Sequence, residues 1–278
     1  MVELTFLGTG TSSGIPVIGC DCAVCHSPDP HDRRFRASVL LRRGERTLLV
    51  DTAPELRLQM LASETRHLDA VLFTHAHADH TAGLDELRRF CELQQQHLPV
   101  YATVATGKEL RDRFAYAFED LFPFYGATPD LTLHEFDGPF AVAGIPITPV
   151  PVLHGRLPIV GFRVGALAYI TDAKSIPDAS LSLLRDLDVL VINALRQRPH
   201  PAHLSLDEAL AVVDDLKPRQ TYLTHIAHEM GRHADVAPTL PAGVALAYDT
   251  MSIAVCDDER KADVSREAHT TTSHGGNQ

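Results

Sequence analysis

Basic residues are in deficit: 25 Lys and Arg stand against 36 Asp and Glu, a formal charge of -11 over 278 residues. Phosphate affinity is largely counterion release by Lys and Arg, so a broad basic nucleic-acid-binding surface is disfavoured. No apolar run approaches the roughly 18 residues that would span a bilayer. The opening Met-Val-Glu-Leu-Thr-Phe-Leu-Gly has no basic segment, apolar core or cleavage site, so no signal peptide is expected there. The cysteines are odd in number: Cys20, Cys22, Cys25, Cys91 and Cys256. Three of them fall within six residues, which suits a metal site in a reducing cytoplasm better than a disulfide framework. There is no internal repeat at solenoid periods.

Hydrophobic residues make up 45% of the chain and charged residues 22%, with a mean hydropathy of -0.04, the composition of an ordinary globular domain with ample core. Strands are expected near 3–7, 38–42, 47–51, 70–74, 145–149, 160–164, 168–171, 188–193, 221–224 and 245–248, rich in Val, Ile, Leu and Phe and bounded by Gly, Pro or Asp. Helical periodicity marks 54–63, 83–95, 107–122, 181–187 and 205–216. Pro54 opens the first of these, and Ser205-Leu-Asp-Glu208 has capping-box spacing. Strands interleaved with helices throughout predict sheets covered by helices, an α/β or α+β fold. From Cys256 to Gln278 the chain turns polar, with little to bury. The domain is therefore expected over 1–255 and a disordered tail over 256–278, its His269 and His274 solvated.

The strand at 70–74 runs directly into His75-Ala-His77-Ala-Asp79-His80. Four potential ligands in six residues would bury several unsatisfied polar groups unless something bound them. One segment can offer His75 and His77 to one ion, and Asp79 and His80 to a neighbour.

This H-x-H-x-D-H run resembles the signature of the metallo-β-lactamase superfamily of binuclear hydrolases. The resemblance implies a four-layered αββα sandwich with both metals at one sheet edge. It also asks for a His, an Asp and a final His, each after a strand, and His154, Asp172 and His225 match. By resemblance His75, His77 and His154 hold one metal, Asp79, His80 and His225 the other, and Asp172 bridges them. Asp51, closing the strand Leu48-Leu-Val-Asp51, matches the first motif, a carboxylate that orients the ligand loop. Two divalent ions about 3.5–4 Å apart activate a bridging hydroxide and polarise a phosphoryl or carbonyl oxygen. Imidazole and carboxylate ligands without thiolate fit Zn, Mn or Fe(II) alike.

Cys20-Asp-Cys22-Ala-Val-Cys25 offers three thiols to a closed tetrahedral zinc that needs a fourth ligand. His26 is too close in sequence to reach the same ion without strain, and His228, three residues after His225, is the better candidate. Cys91 lies on the apolar face of its helix and reads as core; Cys256 has no assigned role.

C-x-C-x-x-C together with H-x-H-x-D-H narrows the resemblance to the phosphoribosyl cyclic phosphodiesterase subfamily, relatives of tRNase Z. In that subfamily a His three residues beyond the last active-site ligand completes a structural zinc, and His228 matches it. The opening Phe6-Leu-Gly-Thr-Gly-Thr-Ser-Ser-Gly-Ile-Pro16 is similar to the start of tRNase Z-type phosphodiesterases, although by itself it is a weak signal and lacks the P-loop Lys. The long arm with which tRNase Z grips tRNA has no counterpart, so a tRNA-processing role is demoted. His203 matches a non-ligand His that points into the active site and could assist the leaving oxygen. His200, His233, His134, His97, His67 and His31 read as structural or solvated. Phe114, Phe118 and Phe122 recur on one predicted helix, with Tyr116, Phe124 and Tyr125 alongside, and read as core; a homodimer face or a cleft wall is the functional alternative. The expected function is hydrolysis of a small cyclic ribose or nucleotide phosphodiester, with a small molecule as the partner and no membrane. The alternatives are an iron-dependent oxidation resembling pyrroloquinoline-quinone synthesis protein B, a tRNase Z-like activity on RNA, and an idle zinc-binding scaffold.

Overall fold

Successive residues of the central strands are buried in opposite directions: Leu40, Leu49 and Val71 pack with helices, while Val39, Leu41, Leu48 and Val50 pack with a second sheet. Strands apolar on both faces need cover on both sides. The computed structural model, which describes residues 1–119 and 128–255, supplies it with four layers. The strands are β1 (Val2–Gly8), β2 (Ser38–Arg43), β3 (Arg46–Val50), β4 (Ala70–Leu72), β5 (Leu98–Thr103), β6 (Leu131–Phe136), β7 (Phe140–Val142), β8 (Ile145–His154), β9 (Leu157–Val164), β10 (Leu167–Ile170), β11 (Val189–Asn193), β12 (Gln220–Thr224), β13 (Val244–Leu246) and β14 (Ser252–Val255). One sheet runs β14-β1-β2-β3-β4-β5-β6 and the other β13-β12-β11-β10-β9-β8-β7.

The helices are α1 (Leu56–Ala62), α2 (Ala78–Thr81), α3 (Arg88–Gln94), α4 (Val104–Arg113), α5 (Asp178–Leu183), α6 (Leu206–Leu216) and α7 (His233–Val236). Between the sheets lies a core that includes Leu4, Phe6, Leu72, Phe162, Tyr169 and Val191. Leu56, Leu84, Leu87 and Phe90 cover the first sheet from outside, and Leu206, Ala209 and Leu216 cover the second. This is the expected αββα sandwich. β3 to β6 are parallel, as are β10 to β13, so their carboxyl ends gather at one rim where open α/β sheets place ligands.

Several element boundaries differ from the expectations. Strands β5, β6, β7 and β14 escaped notice because they lie towards the sheet edges with polar or short segments. β8 is longer than expected, running through Pro149 and Pro151 while pairing with β9. The helix expected over 107–122 stops at Arg113; Phe114 has left helical geometry, and a 3-10 turn occupies Ala115–Ala117. Phe114 and Phe118 still pack against the first sheet's outer core, but not as one helical stripe. The segment expected as one helix over 83–95 divides into a 3-10 turn, Leu84–Leu87, and α3. Phe122, Phe124, Tyr125, Cys256, His269 and His274 lie outside the described residues.

Ser205 caps α6 as its spacing implied: its hydroxyl accepts from Glu208 N–H, and Glu208 returns a carboxylate to Ser205 N–H at 2.8 Å. The cap also fixes the path of the chain just after His203. Ser205→Ala should destabilise the fold by about 1 kcal/mol, read as a lower denaturant midpoint at unchanged m-value.

Candidate metal centre

A carboxylate with no access to water organises the rim. Asp51, just past β3, accepts hydrogen bonds from Thr74 N–H and Thr74 Oγ, both at 2.8 Å, and from His80 Nδ1 at 2.7 Å. Both Asp51 and His80 are fully buried. Burial pushes the Asp51 carboxyl up despite its imidazole neighbour. His80 moves the other way: burial would lower it, but Asp172 and Asp51 outweigh burial and raise it well above the usual value.

The hydrogen bonds also settle which nitrogen each histidine presents. His80 commits Nδ1–H to Asp51, His75 Nδ1–H donates to Thr74 Oγ at 3.0 Å, and His154 Nδ1–H donates to the Ala202 carbonyl at 2.8 Å. His75 and His154 therefore carry their free lone pair on Nε2, as ligating imidazoles do, whereas His80, protonated between two carboxylates, would give up its Nε2 proton when a cation binds there. Burial, then His80, lowers the pKa of His75 well below normal, and burial chiefly lowers those of His77 and His225. Neutral imidazole is the form that binds a cation.

Asp172 lies beyond β10 at the centre. His80 Nε2 is 3.1 Å from its Oδ2, and His225 Nε2 is 3.2 Å from its Oδ1. Burial would push this carboxyl up, but His225 and His80 hold it well below the usual carboxylate range. Donor atoms of Asp79, His80, Asp172 and His225 all lie within 4.8 Å of one another, and so do those of His154, Asp172 and His203. His75 and His77 complete the second side: their ring centroids are 4.6 Å apart and lie 5.8 and 5.0 Å from that of His154. Asp51, Asp172 and His225 all adopt left-handed backbone, φ 63°, 57° and 54°, at the ends of parallel strands. Such conformations cost about 1–3 kcal/mol each and cluster at functional sites.

The donor set fits divalent metal. His75 Nε2, His80 Nε2, His203 Nδ1 and His225 Nδ1 are buried without a hydrogen-bond partner. Native structures rarely leave so many polar atoms unmet in one place. His203 stacks on His225 with ring centroids 4.9 Å apart, tilts against His154 at 4.5 Å, and lies 3.6 Å from Asp172. Burial, with His225 adding, pushes its pKa down to about 3, so it is neutral at neutral pH.

Three residues with no signal of their own anchor the ligands. Thr74 serves both Asp51 and His75. Thr11 Oγ lies 3.2 Å from His225 Nε2. Asn193, at the end of β11, pairs its amide with both N–H and C=O of Ala173, at 2.7 and 2.9 Å, and so fixes the turn that carries Asp172. Polar residues closing strands beside a predicted ligand strand were the available clue.

Cys20, Cys22 and Cys25 meet His228 as expected, with sulfurs 3.3, 3.3 and 3.5 Å from its Nδ1. Zinc bonds of about 2.3 Å to sulfur and 2.0 Å to nitrogen give a tetrahedral N···S edge of about 3.5 Å. Cys25 N–H donates to Cys22 Sγ at 3.4 Å, which lowers the Cys22 thiol to about 6, while burial pushes Cys25 up to about 11. His26 instead approaches Asp21 at 3.3 Å, and Cys91 is buried in the outer core.

Residues 46–226 match the family described as a beta-lactamase superfamily domain. The chain belongs to that superfamily. Within it, a crystal structure of a diphosphatase from the PhnP family superposes with a TM-score of 0.86 at 40% identity, covering 92% of this chain and 98% of that one. This beta-lactamase superfamily member is thus PhnP-like, as its motifs implied. It is also 39% identical over 258 residues to an octanoyltransferase of Porphyromonas gingivalis, covering 91% of this chain and 51% of that protein. The chain spans about half the length of the first curated relatives it matches. Zinc-bound PqqB from Methylobacterium extorquens shares the fold, with a TM-score of 0.72 at 19% identity, covering 91% of this chain and all of that one. Among the described residues no helix is long and apolar enough to cross a membrane.

Cys22→Ser should release one zinc per chain and lower the melting temperature, because a closed thiolate site contributes folding free energy directly. Metal analysis of the purified variant beside its melting curve checks this; full zinc retention would remove the assignment.

Proposed function

We propose that this chain is a two-metal hydrolase of small phosphoric esters, with cyclic ribose or nucleotide phosphodiesters as the leading substrates. One observation carries the reading: the Asp172 carboxylate lies within 4.8 Å of the donor atoms of Asp79, His80 and His225 on one side and of His154 on the other, with His75 and His77 packed against His154, the position of a ligand shared between neighbouring ions. Asp79, His80, His225 and Asp172 would hold one ion, and His75, His77, His154 and Asp172 the other. When bound, the ions would neutralise phosphate charge and lower the pKa of a water between them. The donors suit Zn, Mn or Fe(II). Cys20, Cys22, Cys25 and His228 would hold a separate zinc that ties the N-terminal loop to the rim.

The protein's own contribution is positional. Asp51, Thr74 and Asn193 fix ligand orientation through buried hydrogen bonds, so little reorganisation remains for the reaction. His203 sits against Asp172 and His154 and is neutral. As a neutral imidazole it would donate a hydrogen bond to a phosphate oxygen; once the phosphate's charge raises its basicity it would take up a proton from solvent and deliver that proton to the leaving oxygen.

A second reading is hydrolysis of a diphosphate linkage, favoured by the 40%-identical PhnP-family diphosphatase. The oxidative alternative is supported by a coenzyme PQQ synthesis protein B 28% identical over 57% of this chain, less than the PhnP-family diphosphatase offers, and by a 19%-identical structure that speaks for fold alone. Turnover of bis(p-nitrophenyl) phosphate, a nucleoside 2′,3′-cyclic phosphate and a dinucleoside diphosphate, with metal content measured alongside, separates these. Inactivity on all three at full occupancy would overturn the hydrolytic reading, and iron-dependent oxygen uptake would replace it.

Asp172→Ala should abolish turnover while the circular dichroism spectrum persists; unaltered turnover at saturating metal would sink the shared-ligand assignment. His203→Ala should slow a ribose-type cyclic phosphate by ~10²–10⁴-fold and an activated aryl ester much less, at unchanged metal occupancy. An alkoxide gains more from protonation than p-nitrophenolate does. Equal losses on both substrates would assign His203 to phosphate binding instead.

A further inference from the structure

Every ligand-bearing segment of the rim has a buried anchor except the peptide between His75 and His77. Its carbonyl, Ala76 C=O, instead accepts a hydrogen bond from the Arg113 guanidinium in the last turn of α4. The same guanidinium is held from below by Glu109, one turn earlier on α4. α4 is itself fixed. Thr103 Oγ accepts from Thr106 N–H at 3.3 Å to cap it, and a Cβ on Gly107 would come within 3.0 Å of Leu133, so the helix backbone lies close against β6. Arg111 adds a 2.7 Å pair to Glu135 on β6. A cavity of about 240 Å³ opens here, lined by His75, His77, Thr106, Glu109, Arg113 and Leu157 among others.

We propose that Arg113 is a positioning residue: through the Ala76 carbonyl it transmits the fixed position of α4 to the His75–His77 loop, and Glu109 holds it in that pose. The inference rests on the reading of His75 and His77 as metal ligands. The physical reason is reach. The loop carries His75 and His77 at the rim, and the carbonyl between them finds its donor in the Arg113 guanidinium. A guanidinium supplies a planar donor fork that can engage a carbonyl and a carboxylate together; an ammonium supplies one rotating donor head. The side chains of Arg113 and Glu109 are 44% and 50% exposed, so this clamp meets solvent while the Asp51 anchor does not.

Outer partners that orient ligands typically contribute 10–100-fold in metal affinity. Arg113→Met should weaken metal retention at the rim by that factor in chelator competition and shift the visible spectrum of the cobalt-loaded protein. Arg113→Lys should recover part of the loss, and Glu109→Gln should fall between Arg113→Met and the parent chain. Arg111→Met removes an arginine from the same helix without touching the loop and should leave affinity within about twofold. His77→Ala tests the underlying reading and should lose rim metal. If His77→Ala loses metal while Arg113→Met matches the parent chain in affinity and spectrum, the positioning role is overturned and the ligand reading stands. Equal losses in Arg111→Met and Arg113→Met would also overturn it, as a general effect on α4. Full metal retention in His77→Ala would overturn both.

Discussion

The hydrogen bond between Asp51 and His80, 2.7 Å long and closed to solvent, is the interaction on which the rim depends. An ionised carboxylate without water is tolerated only when its acceptor sites are filled. Thr74 fills two of them and His80 a third, which fastens the end of β3 to the loop that follows β4. That loop carries four of the candidate ligands. Removing the carboxylate would leave a buried N–H and an imidazole unpaired together, so the node is structural and chemical at once.

Two sheets are needed to make one site from such loops. Asp51, His75, His77, Asp79 and His80 come from the first sheet's side, and His154, Asp172 and His225 from the second. The apolar interior between the sheets fixes their separation, and the donors are the polar fringe of that interior at its open end. Left-handed backbone at Asp51, Asp172 and His225 turns each side chain inward at the strand end. The packing below over-determines these conformations, and the electrostatic attraction among Asp172, His80 and His225 draws the same residues together.

The two candidate metal sites share a chain segment. His225 faces the rim, His228 faces the cysteines, and Ile226 between them exchanges backbone hydrogen bonds with Thr9 and Thr11. The N-terminal glycines earn their place by proximity: a Cβ on Gly8 would lie 2.0 Å from the Arg36 carbonyl, and one on Gly10 would lie 2.9 Å from Arg34. The cysteine loop, the Gly-Thr-Gly-Thr stretch and His225 therefore form one braced unit, so the cysteine site constrains the rim.

Short-range pattern made much of this legible without coordinates. The run from His75 to His80, the three clustered cysteines, the capping box at Ser205 and the interleaving of strands and helices are local features, readable because a few neighbouring residues carry each of them. The convergence of His154, Asp172 and His225 on that run came from resemblance to a family rather than from spacing, since sequence distance does not say which strand ends lie together. The tertiary structure decided the rest. Sheet order set which carboxylate is common to both donor groups. Packing against the first sheet ended α4 at Arg113 where aromatic periodicity continued. Thr74, Asn193 and Thr11 acquired their roles only through neighbours on other strands, because a threonine or asparagine has no chemical signature until a buried partner gives it one.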